Sequence, residues 1–298
     1  MITKEDKIFQ VVSHIILMLS ALFCLVPFVL LVIASFTDNN ELIRSGYTFF
    51  PKTVSLEAYR YLTNTGNQIL NAYGVTLFVT AAGTAASLVF TTLLAYPISR
   101  ESFPGRKVIT FIVFFTMLFN GGLVPTYLVY TTILPVKNTI WALLIPRLLV
   151  SGFYIMLMKS FFTTSIPKEV IEAAKVDGAG ETRTLVQVVI PMSKPMLATI
   201  GLLTAINYWN DWYNSFIYVT TKTQYYSIQG LLNRMIQDIK FLSNNASTLG
   251  AASAELAKIP SASVRMAMAV VGVVPIMVVY PFVQNNFVKG ISLGAVKG

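Results

Sequence analysis

Apolar residues in this chain fall into long, almost unbroken blocks separated by polar stretches. The blocks are 8–36, 72–98, 108–131, 140–158, 195–219 and 263–288. About 20 apolar residues cross the hydrocarbon of a bilayer as an α-helix. The pattern therefore predicts six transmembrane helices in an all-α integral membrane protein, with the backbone polar groups satisfied inside each helix. The first block is far longer than the ~7–15 residues of a signal-peptide core, so it reads as a retained helix, with Pro27 expected to kink it. The second carries a small-residue run, Ala81 to Ala86, of the kind that lets helices approach closely in lipid. The third contains Gly121, Gly122 and Pro125. Residues 37–71, 132–139, 159–194 and 220–262 are too polar for the hydrocarbon, and 220–262 is long for a simple connection.

Composition agrees. The 298 residues are 55% hydrophobic and only 12% charged, against about 25% charged in soluble domains. A soluble enzyme, a coiled coil and a disordered chain are all disfavoured. The net charge of +9 would suggest nucleic acid in a soluble chain; here basic residues are expected on cytoplasmic loops. Segments 1–7, 98–107, 159–194 and 289–298 hold twelve Lys and Arg in 63 residues, whereas 37–71, 132–139 and 220–262 hold eight in 86. Both termini are therefore expected in the cytoplasm. Cys24 and His14 are the only residues of their kinds, so neither an internal disulfide nor a Cys/His metal site is expected.

The stretch 159–194 is the most informative. Ser165 reads as an N-cap, Pro167 suits a first turn, and Glu169 and Glu172 favour the positive end of a short helix. Gly178 and Gly180 then break it. A second amphipathic stretch leads to Ile190-Pro191. The first helix would present Ala173 and Ala174 on a small-residue face in the cytoplasm, a shape suited to a cleft on another protein.

These residues carry a resemblance. Glu172-Ala173-Ala174, Asp177-Gly178-Ala179 and Ile190-Pro191 resemble the EAA loop of bacterial ABC importer permeases. Ile166-Pro167, Asn138-Thr139, the stretch Trp209 to Trp212 and the tail Gly290 to Gly298 look like the carbohydrate-uptake, maltose-type G-subunit group. The resemblance covers roughly residues 8–298. It implies a type I ABC importer permease fold and a membrane subunit that carries an oligosaccharide or related glycoside. It further implies a second homologous permease, two ATP-binding subunits, an extracellular solute-binding protein, and a bacterial cytoplasmic membrane. On this reading Glu172, Ala173, Ala174, Asp177, Gly178 and Ala179 couple to the ATPase. Ala295, Val296, Lys297 and Gly298 would reach between the two ATPase subunits. The loop 220–262 would meet the binding protein, either entering its sugar site or serving as a passive contact. No phosphate-binding Gly-x-x-x-x-Gly-Lys pattern occurs, and the dipeptide Gly-Lys is absent. The chain is thus expected to be non-catalytic, with ATP and Mg held by the partner.

The transport path is read from polar residues inside the blocks. Arg147 and Asp211 fall near mid-membrane, where charge is costly and faces a cavity or a partner. They can pair structurally or line a hydrophilic path. Asn207, Asn210, Asp211 and Asn214 share one face if the fifth helix is continuous. Trp209 and Tyr213 offer rings that stack on sugars, or else belong to an interfacial belt. Tyr154 and Asn120 are weaker candidates. Arg147 hints at an acidic saccharide. The other readings are an ABC permease for a different solute, an ion-coupled secondary transporter, which would leave the EAA loop unexplained, and an intramembrane enzyme, for which no catalytic pairing appears.

Overall fold

The computed structural model describes residues 4–64, 66–244 and 261–295, with no strand among them beyond one isolated bridge, Thr37 to Val54. Three helices are long and apolar enough to cross a membrane: α1 (Lys4–Ser35), α4 (Gly66–Ser99) and the start of α15 (Ser261–Ala295), the next described helix after α14 (Ile228–Asn244). Two bent pairs raise that number to five by length and composition. The fourth expected block, 140–158, contains no helix of spanning length: α7 (Trp141–Leu144) and α8 (Gly152–Thr164) flank an irregular stretch. The described residues form two compact units, Met1–Asn67 with Arg234–Pro275, and Gln68–Asn233 with Ile276–Gly298.

In the first unit, α1 runs on through Pro27, its apolar side chains exposed along its length as expected for a lipid- or partner-facing helix. The polar segment after it is ordered by side-chain capping. Asp38 accepts the backbone N–H groups of Asn40 and Glu41 and starts α2 (Asn39–Ser45), which ends at Gly46 with φ 72°. The Glu41 carboxylate then gathers the amides of Lys52 and Thr53, at 2.8 Å each, and the Thr53 hydroxyl. The Thr53 hydroxyl and the Lys52 amide hold Glu41 below the usual carboxylate range. Beyond it comes α3 (Glu57–Asn64), whose Tyr59 stacks on Phe36 and hydrogen-bonds Ser35. Glu41→Ala is expected to speed hydrogen exchange at the Lys52 and Thr53 amides severalfold and to spare the α1 amides. Unchanged exchange at those two positions would show that the carboxylate does not hold the loop.

In the second unit, α4 buries Ala72, Thr76, Val79, Gly83 and Ser87, a stripe at intervals of three and four residues. Of the small run 81–86 only Gly83 is buried; Ala81 and Ala85 point outward. A Cβ on Gly83 would overlap the Tyr208 ring, so this glycine allows the helix backbone to lie directly against an aromatic face. The core gathers Tyr96 and Ile98 from α4, Val113 from α5 (Arg106–Leu118), Met158 and Phe162 from α8, and Ile200 from α12 (Lys194–Trp209). Close approach recurs at Gly152, where a Cβ would crowd Met117 and the Val113 carbonyl.

Three of the expected spanning helices are interrupted. The third divides at 119–122 into α5 and α6 (Leu123–Leu128), which meet at 117° when α6 is taken with its π-helical extension to Ile133. Gly122 takes φ 83° there, and the Asn120 side chain accepts its N–H. The fourth divides at 145–151, around Pro146 and an Arg147 with φ 67°. The fifth divides at 210–212 into α12 and α13 (Tyr213–Tyr218). Pro and Gly account for the first two breaks. At the third, the Asp211 carboxylate takes the Asn214 amide and begins a new helix.

Candidate functional site

The breaks in the fourth and fifth helices are held together by side-chain hydrogen bonds to backbone carbonyls. The Tyr208 hydroxyl donates to the Leu144 carbonyl at 2.8 Å, and the Asn214 side-chain amide to the Pro146 carbonyl at 2.9 Å. The first satisfies a backbone acceptor that a continuous helix would have paired; the Pro146 carbonyl takes the Leu148 N–H as well. Arg147 follows directly. Its side chain is exposed, and its guanidinium lies 4.6 Å from the centre of the Tyr213 ring, a cation–π placement. Among the described residues no ion pair joins Arg147 to Asp211.

The second half of the broken third helix packs on α13. Tyr127 and Tyr130 pack on Tyr218 at ring separations of 5.9 and 6.0 Å. Lys137 donates to the Tyr127 hydroxyl at 2.9 Å. Asn138, with φ 57°, uses its side-chain oxygen to accept the N–H groups of Thr220 and Thr221, and its own N–H bonds the Tyr218 carbonyl. Irregular backbone at membrane depth is tolerated where protein buries it or where it lines a water-filled cavity. Tyrosine faces, exposed amides and two cations, Arg147 and Lys137, are the groups these breaks present.

The break in the fifth helix alters the expected polar stripe. Asn207 and Asn210 are exposed and Asp211 is half-buried, but Asn214 is only 1% exposed and turns inward to Pro146. Asn207 donates to the Tyr154 hydroxyl at 2.9 Å, so those two candidates meet. Trp209 is buried with Tyr73 nearby, whereas Trp212 is exposed and leans on Tyr213 and Phe216. Asn120 serves its own turn at Gly122. Tyr127, Tyr130, Tyr218 and Lys137 were not singled out by sequence reasoning. They sit in ordinary apolar or polar runs, and only packing brings them together around Tyr218 and Tyr127.

The segment expected to couple to an ATPase forms α9 (Lys168–Val176). Its start differs from expectation: Ser165 closes α8 through its N–H to the Phe161 carbonyl, and Pro167 precedes the first helical residue. Proline suits this place because its φ is preset and its missing N–H has no helical partner there. Ile171, 5% exposed, anchors the helix, while Val176 is 87% exposed. Glu172 and Ala173 face outward, Ala174 is half-buried, and Glu172 has no ion pair among the described residues. Asp177 and Gly178 are exposed, Ala179 is half-buried, and Gly178 turns the chain at φ 77°. The chain then enters α10 (Glu181–Thr184), which continues through a π-helical turn into α11 (Ile190–Met192). Of the expected ATPase-contacting tail, Ala295 ends α15, while Val296, Lys297 and Gly298 lie outside the described residues, as do 245–260 of the long loop.

The family model for the binding-protein-dependent transport system inner membrane component matches residues 4–293. The polygalacturonan/rhamnogalacturonan transport system permease protein YtcP of Bacillus subtilis (strain 168) is 35% identical over 294 residues, covering 99% of this chain and 100% of that protein. Protein LplC of the same organism is 34% identical, with 99% and 97% covered. Among solved structures, one chain comes from a crystal structure of a bacterial ABC transporter involved in the import of the acidic polysaccharide alginate. It superposes with a TM-score of 0.76 at 29% identity, covering 96% of this chain and 99% of that one.

Proposed function

Because the chain belongs to the family of inner membrane components of binding-protein-dependent transport systems, we propose how it carries and drives its cargo. It is a membrane-embedded permease of a carbohydrate ABC importer, a class that works with a partner permease, an ATPase and a solute-binding protein. The chain pairs with one homologous permease over two ATP-binding subunits in a bacterial cytoplasmic membrane, with both termini inside. ATP and Mg belong to the ATPase subunits, and α9 docks on one of them through Glu172, Ala173 and the turn at Asp177-Gly178-Ala179.

Saccharide passes the interrupted helices, and the observation that carries this is the junction of the 145–151 and 210–212 breaks beside Arg147. Tyr213 and Trp212 offer ring faces, Asn207 and Asn210 offer amides, and Arg147 offers a charge not closed into an ion pair among the described residues. An exposed guanidinium in such a setting suits a carboxylated sugar, since a charged hydrogen bond is worth more than a neutral one. The names of two relatives point the same way, toward polygalacturonan and alginate. We therefore read the cargo as an acidic oligosaccharide.

The test is uptake by the reconstituted importer with its binding protein. An oligogalacturonate should drive uptake and a neutral galacto-oligosaccharide of equal length should not. Arg147→Gln should cost on the order of tenfold in apparent affinity for the acidic sugar. Equal responses to both sugars would sink the acidic reading. A variant with unaltered affinity would remove Arg147 from the path.

A further inference from the structure

Both ends of α9 are tied to the same place, the cytoplasmic-side end of α4. At its start, Lys168 bridges Glu101 at 2.8 Å, in the turn that follows α4. Near its end, Lys175 bridges Glu181 at 2.6 Å, and the other oxygen of Glu181 accepts the Tyr96 hydroxyl, also at 2.6 Å. The two ties differ in stiffness. Both ion pairs are exposed, and such pairs contribute little by themselves; what sets the second apart is the Tyr96 hydroxyl on the same carboxylate. Tyr96 is a buried residue of α4. Its ring sits edge-on to Phe162, and the Arg100 guanidinium lies 4.5 Å from its centre. A fixed donor against a carboxylate makes a strong, directional contact.

From Tyr96 the path upward is a single helix. About 20 Å along α4, at ~1.5 Å per residue, Gly83 lies against the Tyr208 ring. The Tyr208 hydroxyl holds the Leu144 carbonyl, at the edge of the break that contains Arg147. Each step is a rigid element or a fixed contact, so displacement at Glu181 has a continuous route to the candidate path.

We propose that Tyr96 and Glu181 form the latch that passes movement of α9 to α4, and through Gly83 and Tyr208 to the broken helices beside Arg147. Both are positioning residues. The inference rests on the reading of α9 as the ATPase-docking helix. It differs from a diffuse coupling spread over the whole core, in which no single contact matters much.

The test uses the complete reconstituted importer and reads solute taken up per ATP hydrolysed. Tyr96→Phe removes only the hydroxyl, and Glu181→Gln keeps the shape but not the charge. Each should lower the uptake-to-ATP ratio on the order of fivefold, with the ATPase subunits still bound in full amount. Lys168→Ala, which removes the exposed tie, should stay near wild type. A merely structural role would lower yield or thermal stability and leave the ratio unchanged, and that result overturns the latch. If Tyr96→Phe does not assemble, Glu181→Gln on the exterior decides the matter alone. Glu172→Lys separates the two readings. If it uncouples the importer while the latch variants do not, only the latch falls. If it leaves both ATPase binding and the ratio unchanged, the docking reading falls and takes the latch with it.

Discussion

Glu172→Lys is expected to strip the ATPase from the purified importer and to cut uptake by on the order of a hundredfold, the scale of losing one partner of a charge pair at an interface. The helix around it explains the size of the effect. Ile171 is buried and fixes the orientation of α9, so Glu172 and Ala173 are held outward beside the exposed Val176. The neighbouring lysines pair elsewhere, Lys168 with Glu101 and Lys175 with Glu181. Glu172 is left with no ion pair of its own among the described residues, a carboxylate presented to whatever docks. Reversing its charge should repel the basic group that would meet it, while the fold should tolerate an exposed lysine. Co-purified ATPase per permease and uptake in proteoliposomes measure the outcome. Full occupancy with undiminished uptake would mean that α9 does not dock through this residue.

The second large effect is structural. Gly83→Ala places a Cβ inside the Tyr208 ring, whose three outermost carbons are its nearest neighbours. The ring cannot step aside freely, because its hydroxyl holds the Leu144 carbonyl in a buried position. Overpacking costs roughly 1–3 kcal/mol, and a displaced hydroxyl adds about 1 kcal/mol for the lost hydrogen bond. The detergent-solubilised protein should therefore melt several degrees lower than wild type. Tyr208→Leu removes the obstacle and is itself destabilising. On that background Gly83→Ala should cost little more, which gives a strongly non-additive cycle. Additive losses would show that the two residues are not in contact.

The placement of both residues shows how far the pattern of the chain reached. Glu172 and the turn at Gly178 were visible as a motif because they are local: a short amphipathic run, acidic residues in its first turns, and a glycine where φ becomes positive. Even there the register slipped, since Pro167 rather than Ser165 leads into α9. Gly83 was visible as one small residue in a run of six, but its role was not. Which face of α4 is buried depends on what packs against it, and mean apolarity does not distinguish Gly83 from the outward-facing Ala81.

The candidate path was read in part. Arg147, Asn207, Asp211 and Asn214 stood out as polar residues in apolar blocks, and Asn207 does meet Tyr154. Their arrangement as one helical stripe assumed a continuous fifth helix. The break at 210–212 sends Asn214 into the interior, and no pair forms between Arg147 and Asp211. Gly122 and Pro146 were present to warn of breaks in the third and fourth helices. Between Asn210 and Trp212 no such residue warns; there the Asp211 carboxylate accepts the Asn214 amide on the far side of the break.

The chain by itself determined that the protein is helical and belongs in a membrane, since long apolar blocks with few charges can satisfy their backbone in lipid only as helices. It also marked out the short helix and glycine turn of 168–180, whose signals lie within a few turns of one another. Only the tertiary structure decided where helices break and what meets at the breaks. Tyr127, Tyr218, Tyr208 and Arg147 come from three separate runs, and what joins those runs is ring packing, a cation–π contact at Tyr213 and a hydrogen bond to the Leu144 carbonyl. The same holds for Tyr96 and Glu181, distant in the chain and joined by one hydrogen bond. Periodicity reports which face of a helix is apolar, but it carries no information about which distant donor will satisfy a freed acceptor.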